Sequence, residues 1–561
     1  MGRIVVARGP GRGGSMQRVD EHGDPGASPA VVADLAVAMG ELEASEHPRW
    51  VWESAATDYA ALLGAGVLVE RSHDLALVEA ALLGYAGRFG ESSRLAAAAA
   101  RLRNEPVPPD EPARPTATQP GLFDDTTPRP LDDAVAVHAA QCAQLASPDG
   151  PDAWEPAPVT AARLRLLAAT DSACGLVAAE MGHDGVPWRI DVHDRLLTEA
   201  LGPRPRHGGR PPRLQALAER IAALLDVPRL NPDSAAEITT AFRHAGILLT
   251  STRSFALRRL DHPAIEPLLE YKALARLHAA HGWAWSDEWV RDGRFRPEYV
   301  PAGVVSGRWA SRGGGALQIP RAVRAAVVAD PGHVLVVADA RQLEPRVLAA
   351  LSVDAGLIDA ARSGDLYDAM ATEAFAGDRA TAKIAILSAM YGGGTGGGSS
   401  AVALATFRRR YPRALGLVEA AARVGEAGGL VRSVLGRTCP YAGVAPAGTT
   451  SETDDVEAQA LRRSRDRGRF TRNFVIQASA ADWAGVLLAV LRGRLAGIDD
   501  AARLVFFQHD EVVVHAPQAL AGEVAAAIDA AADEATRLVF GSTDVSFPMP
   551  ATVVPDYAAA K

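Results

Sequence analysis

The chain has 561 residues, a formal net charge of −9 and an apolar share of 48%, which allows two to four domains around a substantial core. No run of about 18 apolar residues is free of charge, and MGRIVVARGPGRGG at the N-terminus has no apolar stretch of signal length, so neither a membrane span nor export is expected. Three scattered cysteines (Cys142, Cys174, Cys439) argue against a disulfide frame or zinc cluster and suit a reducing cytoplasm.

Taken in order, residues 1–103 predict a small α/β unit, with strands at Arg3–Ala7 and Arg49–Trp52 and helices at Leu75–Gly84 and Ser92–Leu102. Asn104–Asp133, rich in Pro, Thr and Asp, predicts an exposed loop. Ala134–Leu145 and Val159–Gly182 predict helices. Leu214–Leu225, Ser234–His244 and Pro263–Ala280 predict an amphipathic helical subdomain. Ser306–Val328 is Gly-rich and irregular, and Val334–Ala338 reads as a buried strand. Helices follow at Ala355–Arg362, Leu366–Ala376 and Arg379–Tyr391; then come a GGGTGGGSS loop, helices at Ala403–Phe407 and Leu415–Ala427, and a polar turn at Thr449–Val456. Arg472–Ala496 predicts a long apolar helix, Leu504–Ala516 a hairpin and Leu520–Phe540 a helix. Strands separated by long helical insertions indicate an α+β class.

Four stretches carry chemistry. Leu504–Ala516, LVFFQHDEVVVHA, places His509, Asp510 and Glu511 at the tip of a buried hairpin. Adjacent carboxylates there suit a divalent cation; an ordinary polar turn is the alternative. Val334–Ala350 runs from a buried strand into Asp339 and then a helix with Glu344 and Arg346. If Asp339 and Asp510 lie on neighbouring strands they can share two Mg²⁺ ions for phosphoryl transfer; a helix N-cap is the alternative for Asp339.

In RATAKIAILSAMY, Arg379, Lys383, Leu387 and Tyr391 recur every four residues along one helical face. Two cations, an apolar side chain and an aromatic suit a nucleoside triphosphate. Lys is rare here, present only at 272, 383 and 561, so Lys383 within an Arg-using chain invites a chemical reason. A surface helix with snorkelling cations is the competing account. In Arg469–Asp482, Arg469, Asn473 and Gln477 share a face suited to minor-groove acceptors, or else to an internal polar network. Just upstream, LRRSRDRGRFTR concentrates arginines at 462, 463, 465, 467, 469 and 472. That is a phosphate-neutralising footprint, or a solvated charged loop, which the overall negative charge does not decide.

Together these motifs resemble family A DNA polymerases of the bacterial DNA polymerase I type. ADARQLEPR is similar to that family's first palm motif, Arg379-xxx-Lys383-xxx-Leu387-xxx-Tyr391-Gly392 to its fingers helix, and His509-Asp510-Glu511 to its palm hairpin. SGRWAS with LQIP, VLGR at 434–437 and QASAAD resemble further family segments, all in family order from about residue 180 onward. The resemblance implies a right-hand polymerase over 186–561, with a thumb at about 205–300, fingers at about 351–439 and a palm at about 301–350 and 440–561. It implies a ribonuclease H-like, exonuclease-type domain over 1–185.

It also implies roles. Asp339, Asp510 and the Ala340 carbonyl would hold two Mg²⁺, with Glu511 in support. Arg379 and Lys383 would bind triphosphate, and Lys383 would also serve catalysis as a proton donor to pyrophosphate. Gln342 and Tyr367 would line the nucleotide pocket, with Leu387 facing sugar and base. Glu344 would block a ribose 2′-OH and pair with Tyr391. Arg308, Arg469, Asn473, Gln477 and His509 would contact DNA. The partners implied are primer-template DNA and deoxynucleoside triphosphates, for a monomer with no membrane contact in the nucleoid-associated cytoplasm, serving replication or repair.

Two departures stand out. Leu387 occupies a position where the family has an aromatic. The first strand, RIVVARG, has no acid where the family's proofreading domain carries Asp-x-Glu; only Asp74 and Asp171 match later acids, so a degenerate domain without exonuclease activity is expected. A single-subunit RNA polymerase, disfavoured by Glu344, and a DNA-binding homologue without catalysis are the alternatives.

Overall fold

The computed structural model describes residues 2–109, 130–206, 208–312, 315, 319–362, 364–392, 399–440 and 456–560, with backbone alone at 399 and 456–461. The heart of the Asn104–Asp133 loop, the glycine loop after Gly392, Leu317 and Gln318 of LQIP, and the 449–455 turn lie outside the described residues.

The N-terminal domain is built on a five-stranded sheet: β1 (Arg3–Arg8), β2 (Gly14–Val19), β3 (Ala30–Val32), β4 (Arg49–Trp52) and β5 (Arg71–Asp74), in spatial order β3-β2-β1-β4-β5. β1, β2 and β3 form an antiparallel meander, whereas β4 and β5 run parallel to β1. Strand alternation sorts the side chains onto two buried faces. Ile4, Val6, Trp50 and Trp52 pack with Leu35, Met39 and Tyr59 on one side; Val5, Ala7 and Val51 pack with Leu75, Leu95 and Val137 on the other. A sheet covered on both faces explains the continuous apolar run of β1.

β5 was not expected as a strand, because its residues are polar. They are nonetheless buried and bonded: Ser72 Oγ donates to the Ser172 carbonyl (3.3 Å) and His73 pairs with Gln141 (2.8 Å). The expected loop ends earlier than its composition suggests, since Pro130–Ala146 is helical.

The second half is organised by a four-stranded antiparallel sheet in the order Arg503–Gln508, Glu511–Pro517, His333–Asp339, Ala551–Val554. The helices Val456–Ala496 and Ala521–Phe540 pack together behind it, and their apolar residues share one core with the strands. The long helix contains a window that is apolar and long enough to cross a membrane, but 78% of that window is buried inside the protein; it is the core helix of this fold. The helices Pro212–Leu224, Ala235–His244 and Ile265–His281 form the expected helical subdomain. Ala355–Arg362, Leu366–Ala374, Arg379–Tyr391, Ser399–Arg410 and Pro412–Glu426 form the segment between strand His333–Asp339 and the later strands of this sheet.

The two halves are knitted together. Helix Ala161–Asp184 packs on β5 on one side and on the long helix on the other. Leu430–Val431 pairs in parallel with Ala153–Trp154. Arg432 donates to the Tyr85 and Pro151 carbonyls (3.1 and 2.9 Å), pairs with Glu155 (2.9 Å) and lies over the Tyr85 ring. A boundary at 185 therefore falls at the end of a helix that belongs to both cores.

Candidate active site

The register of the four-stranded sheet sets Asp339 directly opposite Glu511. Strand Arg503–Gln508 ends at Gln508 and the next begins at Glu511, leaving His509 and Asp510 as a two-residue turn, with His509 at φ 58. The Ala340 N–H donates to the Asp510 carbonyl at 3.0 Å. Strand-end residues on neighbouring strands have Cα atoms about 5 Å apart, so Asp339, Asp510 and Glu511 share one corner of the sheet, as the sequence suggested.

Glu511 is 3% exposed and accepts a hydrogen bond from the Tyr557 hydroxyl. Burial, then the neighbouring Glu511 charge, pushes the Tyr557 pKa far up, so the phenol stays a donor. Tyr557, with Arg324 over its ring at 4.5 Å, was missed from the sequence. It lies near the far C-terminus, and no local pattern links it to the hairpin.

Facing this corner, Glu344 accepts from both the Arg308 guanidinium and the Tyr391 hydroxyl. Tyr391 is pushed up to about 12 by burial first and then by Glu344, and Gln477 of the long helix reaches the same hydroxyl. The expected Glu344–Tyr391 pair is therefore present. Arg308, expected on DNA, is committed at least in part to Glu344. A cleft of about 180 Å³ brings together Arg308, Gln342, Glu344, Tyr367, Leu387, His509 and Asp510.

Helix Arg379–Tyr391 begins at an Asp378 N-cap whose side chain accepts from the Thr381 N–H, and it ends at Gly392, φ 72. That left-handed C-cap needs glycine. A side chain at Gly392 would also press on Arg469 of the long helix. Ala382, Ala385, Ile386, Ala389 and Met390 are buried, whereas Arg379, Lys383 and Tyr391 are exposed and Leu387 is half-buried; the four-residue stripe forms the open face. Tyr367 is buried beneath the cations, with Arg379 5.3 Å and Lys383 6.0 Å from its ring centroid.

Asp365 organises this wall and was missed from the sequence. It caps helix Leu366–Ala374 and accepts from Gln342 Nε2 (2.7 Å) and from Arg379 (2.8 Å). Gln342 itself has φ 57, and its Oε1 accepts the Leu366 N–H at 2.8 Å. Its amide thus braces the cleft wall. Arg379 also contacts Asp368 at 3.1 Å, whereas Lys383 forms no ion pair with a described residue.

On the long helix, Asn473 and Gln477 are half-buried and Arg469 is exposed, against buried Phe474, Val475, Ile476 and Ala478. The expected polar stripe is present. The basic segment is helical over its described length, with Arg462, Arg463, Arg465 and Arg469 exposed. Arg469 pairs with Asp466.

The two acids expected at a vestigial nuclease site have other partners. Asp74 is 1% exposed, accepts from the Ala55 N–H (2.7 Å) and the Leu77 N–H (3.0 Å), and is pushed up to about 7 by burial. Asp171 pairs with Arg437 at 2.9 Å.

A model of the DNA polymerase family A matches residues 213–553. DNA polymerase I of Chloroflexus aurantiacus is 26% identical over 364 residues, covering 60% of this chain and 36% of that protein. The thermostable DNA polymerase I of Thermus thermophilus is 28% identical over 316 residues, covering 52% and 36%. The chain thus spans about a third of the length of these curated relatives. The solved POL domain of Pol1 from M. smegmatis, in complex with DNA primer-template and dNTP, superposes with a TM-score of 0.71 at 18% identity, over 99% of this chain and 95% of that one; this likeness supports the fold. With the family match running over more than half of its length, and with the acidic sheet corner lying inside that match, the chain belongs to DNA polymerase family A.

Proposed function

We propose that the protein is a template-directed DNA polymerase that adds deoxynucleotides to a primer 3′ end, acting as a monomer. The observation that carries this reading is the corner formed by Asp339, Asp510 and Glu511 beneath the Arg379–Tyr391 face.

The donor set at that corner is all oxygen, which fits Mg²⁺ rather than a softer metal. Asp339, Asp510 and the Ala340 carbonyl would hold two ions. When bound, they supply activation of the primer hydroxyl and neutralisation of the leaving pyrophosphate. The chain does the rest by positioning, which phosphoryl transfer chiefly needs. Lys383, which pairs with no described acid, offers its ammonium to the triphosphate and, at the end, a proton to pyrophosphate. Arg379 exchanges its Asp365 and Asp368 contacts for phosphate oxygens. Glu344, held by Arg308 and Tyr391, fills the space that a ribose 2′-OH would need. Asn473 and Gln477 meet minor-groove acceptors, and the exposed arginines upstream meet phosphates.

We infer in addition that the N-terminal domain lacks 3′→5′ exonuclease activity. β1 has no acid, and Asp74 and Asp171 serve a helix cap and an ion pair.

Primer extension by wild type and Asp510→Asn, with dNTPs and rNTPs and beside a single-strand degradation assay, tests both readings. Wild type should extend with dNTPs alone, Asp510→Asn should lose on the order of a thousandfold, and no strand should be trimmed. Extension by Asp510→Asn at the wild-type rate would sink the metal assignment; preference for rNTPs would favour an RNA polymerase.

A further inference from the structure

Arg437 is almost fully enclosed, with a side chain 12% exposed. It pairs with Asp171 of helix Ala161–Asp184 at 2.9 Å and with Asp482 of the long helix at 3.4 Å. Its own turn is fixed to that helix: Val434 N–H donates to Ser479 Oγ (3.1 Å) and Leu435 N–H to Asp482 Oδ2 (3.2 Å). Burial opposes the guanidinium charge, but the two carboxylates outweigh it and raise its pKa. On the other side the guanidinium lies against Gly307, φ +82, where any side chain would collide with it. The next residue is Arg308, which holds Glu344.

A continuous set of contacts therefore runs from an N-terminal carboxylate to the sugar-facing wall of the cleft: Asp171, Arg437, Gly307–Arg308, Glu344, Tyr391. Asp171 is 7% exposed on its side chain, and neither the nucleotide nor the metal ions need it in the reading above. A buried fork-shaped cation with two carboxylates has one favoured orientation. Taking one carboxylate away frees the guanidinium to swing toward Asp482, and the Gly307 backbone resting on it would follow.

We propose that Asp171 is a positioning residue for polymerisation: through Arg437 it fixes the Gly307–Arg308 segment, and so the aim of Glu344 at the sugar. The N-terminal domain then contributes to sugar selection. This rests on the polymerase reading, and the control below separates the two.

The test compares kcat/KM for a dNTP and the matching rNTP in the full chain. The variants are Asp171→Asn and Asp74→Asn, a second buried acid of the same domain that lies outside this set of contacts. Asp171→Asn should lower the dNTP/rNTP ratio roughly tenfold, mainly through tighter rNTP KM, whereas Asp74→Asn keeps the wild-type ratio even if its melting point falls. If Asp171→Asn does not fold, Arg437→Lys, which keeps the charge but loses the fork, should show the same loss. A folded Asp171→Asn or Arg437→Lys with the wild-type ratio overturns the proposal, as does an equal loss in Asp74→Asn. Wild type that extends no primer defeats the polymerase reading instead.

Discussion

Single side chains set the character of this cleft. Leu387 lines the cleft and packs partly on the core; on the proposed reading it would meet a nucleobase without offering a ring face. Base–aromatic stacking is worth about 1–3 kcal/mol. Leu387→Phe should therefore lower the KM for dNTPs at least about threefold and change dideoxynucleotide incorporation, and identical steady-state kinetics would exclude a base contact at this position. Asp74 sets a pH dependence. Burial lifts its carboxyl from 3.8 to about 7, so in that window the folded chain keeps a proton that the unfolded chain has released. Stability then falls as pH rises between those values and levels off above them. Asp74→Asn removes the slope, and its melting temperature relative to wild type should climb by about 4 °C between about pH 4 and pH 8. A constant difference would mean that the acid is ionised throughout.

Helices and strands add a second layer, in which Arg346 is the busiest junction. Fully buried, it donates to the carbonyls of Arg341 (2.9 Å), Ala361 (2.5 Å), Ser546 (2.8 Å) and Gly364 (3.1 Å). It thereby joins the turn after the first palm strand, the end of the next helix and the C-terminal segment. Arg346→Met would strand those acceptors at a cost of about 3–5 kcal/mol; its melting point and primer extension should fall together, and a wild-type melting curve would refute the assignment. This junction is invisible in sequence because its partners are backbone groups up to 200 residues away. Local patterns read well by contrast. Arg379–Tyr391 and Ala355–Arg362 are found at their expected limits, since caps and periodicity are encoded within each segment. β5 and the strand Ala551–Val554 escape because one is polar and the other half exposed. The acidic corner was legible as two motifs, but its brace by Tyr557 and the hub at Asp365 exist only once distant segments meet.

On the largest scale the charge is unevenly spread. A chain of net charge −9 presents Arg462, Arg463 and Arg465 outward at the start of its longest helix, and none of the three pairs with a described residue. Replacing all three with Ala should reduce the slope of log Kd against log salt for primer-template by about two to three; an unaltered slope in a binding titration would place the phosphates elsewhere. On the proposed reading of the N-terminal domain as a nuclease-type fold without activity, the Asp171–Arg437 pair also bears on any attempt to install proofreading there. Acids added to β1 would still leave the Asp171 carboxylate engaged by Arg437 of the other half. Freeing that carboxylate would take away the partner that holds Arg437, so gain of one activity would draw on the footing of the other.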